Sequence, residues 1–173
     1  MRKITYGAAC SLDGFIARPG GDVDWLQWSN DVQRLTQAYW SRVDTVLMGR
    51  KTYDVSRANG IGAYAGVVNY VFSRTLDSAP EPRVHLVRDN AADFVSNLKR
   101  QVGGEICVMG GGEFAQTLFE ADLIDEVGAN IHPVLLGEGL SLFRQLPRQI
   151  DLQLLQFEVL TGGCLYVLYR VCR

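Results

Sequence analysis

A chain of 173 residues with 47% apolar and 21% charged side chains can bury one substantial core, so a single domain over 1–173 is the expected organisation. The formal net charge of -2 and the lack of any basic block argue against sequence-independent binding to nucleic acid. No apolar run approaches the roughly 18 residues of a membrane span and no signal-peptide pattern opens the chain, so cytoplasmic residence is the expectation.

Eight segments rich in Val, Ile, Leu, Tyr and Phe read as strands: residues 2–10, 43–48, 67–72, 83–88, 105–109, 124–136, 150–160 and 163–172. The first runs into Ala8-Ala-Cys-Ser-Leu-Asp-Gly-Phe-Ile-Ala17, a strand that breaks at Asp13-Gly14 and resumes with apolar residues. The segment Asp22-Val-Asp-Trp-Leu26 then places carboxylates beside Trp25 and Trp28, which can pack on a flat heterocycle. A helix over 31–42 follows, with Val32, Leu35, Tyr39 and Val43 on one face, Asn30 as N-cap and Gln33 as its capping-box partner.

Next, Leu47-Met-Gly-Arg-Lys-Thr-Tyr53 leads a strand into a short helix, with Gly49 at the bend. Three glycines mark 57–66 as a loop. Val71-Phe-Ser-Arg74 ends a strand with a hydroxyl and a cation, and Arg88 ends the strand after it. Asn90 caps a helix over 91–101, which Gly103-Gly104 stops.

The most informative run is Glu105-Ile-Cys-Val-Met-Gly-Gly-Gly-Glu-Phe-Ala115, an apolar strand that ends in three glycines and enters a helix directly. Glycine lets a ligand approach the main chain, and a helix N-terminus offers unpaired N–H groups, so the run suits a phosphate or pyrophosphate. Gly110, Gly112 and Ala115 match G-x-G-x-x-G/A, but Asp125 and Glu126 come too early for the acidic partner a Rossmann unit needs. A nucleotide-binding fold of another kind is favoured. The helix ends near Ala121, and only long strands follow, among them Ile131-His-Pro-Val-Leu-Leu-Gly-Glu-Gly139 and a hairpin across Thr161-Gly-Gly163. That order predicts a largely parallel α/β sheet finished by antiparallel edge strands.

Cys10, Cys107, Cys164 and Cys172 sit singly in apolar runs and read as small buried hydrophobes. His85 and His132 are the only histidines and neither has a ligand-spaced partner, so no metal centre is expected.

Ser11-Leu-Asp-Gly14, Met48-Gly-Arg50, Phe72-Ser-Arg74 and Gly110-Gly-Gly112, in that order and at those separations, resemble the dihydrofolate reductase-like superfamily. Within it the chain is most similar to the RibD C-terminal domain family, the reductase part of the riboflavin-pathway deaminase/reductase. The similarity runs from Ile4 to about Tyr169. It implies the dihydrofolate reductase-like three-layer α/β fold, with a mostly parallel eight-stranded sheet, four flanking helices and antiparallel C-terminal strands.

The resemblance also implies NADPH. Ala9, Ile16 and Ala17 would line the nicotinamide end, and Gly49, Arg50, Lys51 and Thr52 would meet the phosphates from one side. Gly110, Gly111, Gly112, Glu113 and Phe114 would cradle the pyrophosphate from the other, with Phe72, Ser73 and Arg74 at the adenosine end. Residue chemistry agrees, since a planar, permanently charged guanidinium at Arg50 or Arg74 suits the 2′-phosphate. Glu113 would repel that phosphate if it pointed there, and capping its own helix is the expected alternative.

Hydride transfer to C=N or C=O also needs a proton for the heteroatom. Folate reductases of this fold hold a carboxylate on the first helix, where the matching position here falls near Gln33. The candidate catalytic acids are therefore Asp24, favoured for its tryptophan neighbours, Asp31 inside the helix, and Asp13, whose alternative role is to shape its turn. The substrate-phosphate segment of the riboflavin reductases has no clear counterpart after Tyr53, only Asp54-Val-Ser-Arg57, and the H-x-E and P-C-x-x-C signatures of their deaminase are missing. A stand-alone NADPH-dependent reductase of a pteridine-like or (ribosyl)aminopyrimidine small molecule is expected. The alternative is a non-catalytic nucleotide-binding module, and a flavin-binding protein is a weaker third. The apolar stretches 153–160 and 164–171 predict a homodimer that covers them.

Overall fold

The computed structural model describes residues 1–60, 62–146 and 148–173. Its strands are β1 (Ile4–Ser11), β2 (Phe15–Ala17), β3 (Val43–Gly49), β4 (Val68–Phe72), β5 (Val84–Val87), β6 (Glu105–Met109), β7 (Glu126–His132), β8 (Leu140–Ser141), β9 (Leu152–Val159) and β10 (Leu165–Val171). The helices are α1 (Asn30–Trp40), α2 (Arg50–Ala58), α3 (Ala91–Lys99) and α4 (Gly112–Glu120).

Eight strands form one sheet in the order β5-β4-β3-β6-β1-β7-β10-β9, and β2 pairs with β8 in a small separate ribbon. Six strands from β5 to β7 run parallel, joined by crossovers, while β10 and β9 are antiparallel. Helices cover both faces. Tyr53 of α2, with Tyr39 and Trp40 of α1, packs on Val46, Met48 and Val71. Val95 and Leu98 of α3 and Leu118 and Phe119 of α4 pack on Ile4, Tyr6 and Ile106 on the other side. Three layers result, as the alternation of strands and helices implies.

Local chemistry sets the ends of these elements. Gly14 bends the chain at φ 84°, and β2 resumes directly after it. The final hairpin turns through a 3₁₀ turn at Thr161–Gly163, where Gly162 and Gly163 hold positive φ. Four expectations change. Ser29, not Asn30, caps α1, because its hydroxyl accepts from the Val32 N–H and Asn30 is already helical. β7 stops at His132 rather than near 136, because Pro133 has no N–H to donate and Val134 N–H turns back to the His132 carbonyl at 2.8 Å. Cys172 lies just beyond β10 and is exposed, whereas Cys10, Cys107 and Cys164 are buried. The loop expected over 57–66 begins only after Ala58, and its residue 61 lies outside the described residues.

Candidate active site

β3 and β6 are neighbours in the sheet, with Met48 level with Met109. Past their C-terminal ends the chain turns to opposite faces, into α2 from β3 and into α4 from β6. A crevice therefore opens where the strand order reverses, the place where open α/β sheets seat ligands. Both helices begin at glycine N-caps, Gly49 and Gly111, without a side-chain cap bond. Their first N–H groups thus point into the crevice, where an anion would meet them. Gly110 turns the chain at φ 96°, and a Cβ there would collide with the Thr52 side chain. A Cβ on Gly111 would meet nothing within 4 Å, so the space beside it is open.

Charged and aromatic side chains rim this crevice. Glu113 does not cap α4. Its carboxylate binds Lys51 Nζ at 3.1 and 3.0 Å and Arg144 Nη2 at 2.9 Å. The Lys51 ammonium, with Arg144 beside it, holds the carboxyl below its usual range. The negative charge that threatened a bound phosphate is thereby neutralised. Phe72 stacks on Phe114 with ring centroids 4.5 Å apart, which ties the end of β4 to α4. Arg50 is held by Asp54 through an Nε–Oδ2 bond of 2.6 Å. Arg74 is exposed and has no side-chain partner among the described residues. Ser73 is buried, and its Oγ accepts from the N–H groups of Thr75 and Leu76, so it shapes the turn. Arg88 donates to the carbonyls of Leu76 and Asp77 and is committed to the same turn.

A cavity of about 310 Å³ lies between the sheet and α1, next to the crevice. Its floor is Gly7, Ala8 and Ala9 of β1 with Gly128 and Ala129 of β7. The space exists because these residues carry at most a methyl group. Val32, Leu35 and Tyr39 of α1 with Leu26 and Trp28 form one wall, and Leu160, Tyr166 and Leu168 form another. Met109 also lines it, and Gly110 of the crevice is the next residue. Burial pushes the Cys107 thiol up to about 11 and raises the Tyr39 phenol further, so both stay neutral. His132 is fully buried and its imidazole is driven below its usual pKa by that burial.

The structure places the three candidate acids outside the cavity lining. Asp13 accepts from Ser11 Oγ at 2.6 Å and from the Leu136 and Gly137 N–H groups, which joins two turns. Asp24 pairs with Arg18 at 2.9 Å on the surface. Asp31 accepts from the hydroxyl and N–H of Thr161 at 2.6 and 3.1 Å and ties α1 to the final hairpin. Hydrogen bonds lower all three carboxyls, led by Ser11, Arg18 and Thr161 respectively. Of the expected nicotinamide residues, Ala9 lies in the cavity floor, while Ile16 packs against the core and Ala17 is buried in the β2–β8 ribbon. Trp28 borders the cavity, and Trp25 packs edge-on against His132 with centroids 5.4 Å apart.

Sequence reasoning gave no site role to Thr5, Asn130 or His132, although all three line the cavity, Thr5 and His132 buried and Asn130 half-buried. A signal existed, since Gly128, Asn130 and His132 alternate along one strand and share a face.

Comparison with known proteins agrees with this architecture. The family model for the RibD C-terminal domain matches residues 2–166. The Bacillus subtilis (strain 168) protein YwjB, itself uncharacterized, is 34% identical over 155 residues, covering 88% of this chain and 89% of its own. YyaP of the same organism, also uncharacterized, is 30% identical over 98% of this chain and 95% of its own. The crystal structure of a candidate riboflavin biosynthesis protein from Shewanella sp. PV-4 superposes with a TM-score of 0.88 at 30% identity, over 100% of both chains. Dihydrofolate reductase from Enterococcus faecalis, complexed with NADP(H), shares the fold at a TM-score of 0.70 and 16% identity, over 99% of this chain and 97% of that one. Matched along nearly its whole length by one family model and by relatives at 30% identity or more, the chain belongs to the RibD C-terminal domain family, a reductase-like family with the dihydrofolate reductase-like fold.

Proposed function

We propose that the protein is an NADPH-dependent oxidoreductase that reduces a C=N or C=O bond of a pteridine-like or (ribosyl)aminopyrimidine small molecule. One observation carries this reading. The cavity and the glycine crevice meet at the end of β6, where Met109 lines the first and Gly110 opens the second. A ligand whose phosphates lie at the turn thus has its far end within reach of the cavity.

The residues present fit that cofactor. Two uncapped helix N-termini and the open space at Gly111 suit a pyrophosphate, with Gly49, Lys51 and Thr52 on one side and Gly110, Gly112, Glu113 and Phe114 on the other. Phe72, Ser73 and Arg74 form the adenosine end, and Arg74, supported by Arg50, takes the 2′-phosphate. Ala9 leaves room for the nicotinamide, with Ile16 and Ala17 behind the adjoining turn. When bound, NADPH supplies a hydride. The apolar walls orient a flat substrate and exclude bulk water from its inner edge. Because Asp13, Asp24 and Asp31 are engaged elsewhere, water at the mouth beside the exposed Trp28 supplies the proton.

A second reading, a nucleotide-binding module without catalysis, is favoured by one fact: among the described residues no Asp or Glu lines the cavity. The two separate on the loss of reduced-nicotinamide absorbance with pterin and aminopyrimidine substrates. Turnover supports the reductase, and binding of NADPH without turnover supports the module. No binding of NADPH overturns both. We further propose that a second copy of the chain covers the apolar edge at β9.

A further inference from the structure

Among the described residues that line the cavity between the sheet and α1 there is no Asp, Glu, Lys or Arg. Its histidine, His132, is kept neutral by burial. The charged groups that adjoin lining residues in the chain are already paired. Asp31, beside Val32, accepts from the Thr161 hydroxyl, and Arg34, beside Leu35, is held by Glu158. A charge brought into this space would lose its water and meet no counter-ion, whereas a neutral ring would exchange water for apolar walls. Long substituents are disfavoured too. The volume of about 310 Å³ is near the lower end for ligand sites, and the nicotinamide would occupy part of it.

Trp28 adds a second, independent feature. It is 70% exposed, whereas the other two tryptophans are half-buried and packed on rings, Trp25 edge-on to His132 and Trp40 stacked on Tyr64. Its segment is anchored on both sides. The Gln27 N–H reaches His132 Nδ1 at 3.3 Å, and the Ser29 hydroxyl caps α1 by accepting from the Val32 N–H at 3.3 Å. These bonds hold an indole without a ring partner, among the described residues, at the edge of an apolar cavity. Such a face suits stacking on a flat ring, which is tolerant of the ring's substituents.

We propose that the cavity selects an uncharged, unphosphorylated flat ring that stacks on Trp28, which makes Trp28 a substrate-binding residue. This inference deepens the proposed function and rests on the cavity being its substrate end. Of the classes named there, it keeps the free pteridine-like and aminopyrimidine rings and sets aside ribosyl phosphates and carboxylate-bearing derivatives.

The test titrates pterin and pterin-6-carboxylate, which share one ring system, into the purified protein by calorimetry. Mildly acidic buffer keeps both rings uncharged while the carboxylate stays ionised. Pterin is expected to bind at least about tenfold more tightly, because the carboxylate finds no cation in the lining. Trp28→Ala should weaken pterin about fivefold or more, as for the loss of one stacked aromatic face, and leave NADPH affinity and the melting temperature near those of the native chain. Trp28→Phe, which keeps an aromatic face, should restore most of the affinity. Should Trp28→Ala fail to fold by circular dichroism, Trp28→Leu takes its place, with apolar bulk but no ring. Equal affinity for the two pterins, tighter binding of the carboxylate, or binding of neither overturns the selectivity. Unchanged pterin affinity in Trp28→Ala, or a loss that Trp28→Phe does not recover, overturns the stacking role. NADPH is titrated separately. Its failure to bind while the pterin preference stands removes the reductase reading and leaves the selectivity, and NADPH binding with equal affinity for both pterins does the reverse.

Discussion

Arg74 and Arg50 look alike as sequence motifs but differ once placed. Arg74 is exposed without a side-chain partner among the described residues, whereas the guanidinium of Arg50 is already held by Asp54. Arg74→Ala should therefore weaken NADPH relative to NADH by about 1.5–3 kcal/mol, the range for a lost charge-assisted hydrogen bond. Arg50→Ala should cost less, because Asp54 competes for it. Calorimetry with both coenzymes checks this, and equal losses for the two would show that Arg74 does not meet the 2′-phosphate. Both arginines were legible beforehand because each follows a strand end in a short local motif. Asn130 and His132 were not. Their places in the cavity arise from the pairing of β7 with β1, and His132 also receives the Gln27 N–H from 105 residues away along the chain. The alternation along β7 puts both on one face, but no local pattern announces the Gln27 contact.

At the scale of elements, adjacent glycines of one turn have different tasks. Gly110 combines positive φ with a side-chain-free approach to Thr52, while Gly111 faces open space in an ordinary conformation. Gly110→Ala should disturb the turn itself and lower the melting temperature. Gly111→Val should leave the melting temperature near that of the native chain and abolish NADPH binding by filling the space. An unchanged dissociation constant for Gly111→Val would show that no phosphate lies there. Helix and strand identities were readable from periodicity and turn residues, and so was the final hairpin. Their terminal contacts were less so. Glu113 has the sequence position of a first-turn cap, yet Lys51 of α2 and Arg144 draw it across the crevice. Tertiary charge outcompetes the local cap.

In the whole molecule, β9 is an edge strand whose Leu154, Phe157 and Val159 are 50%, 67% and 68% exposed. Edges so apolar invite pairing unless something covers them. Light scattering should give twice the 19.2 kDa of one chain, and Phe157→Glu should halve it. A native sample that scatters as one chain would dismiss the second copy. The same hairpin has another duty, since β10 supplies Tyr166 and Leu168 to the cavity wall while it pairs with β9 along its length. Association at the rim would stiffen that wall, and a filled cavity would brace the rim. Were a second copy to pair there, subunit pairing and ligand uptake would be thermodynamically linked, each raising the other by the same factor, and dilution alone would be enough to loosen the hold on a ligand.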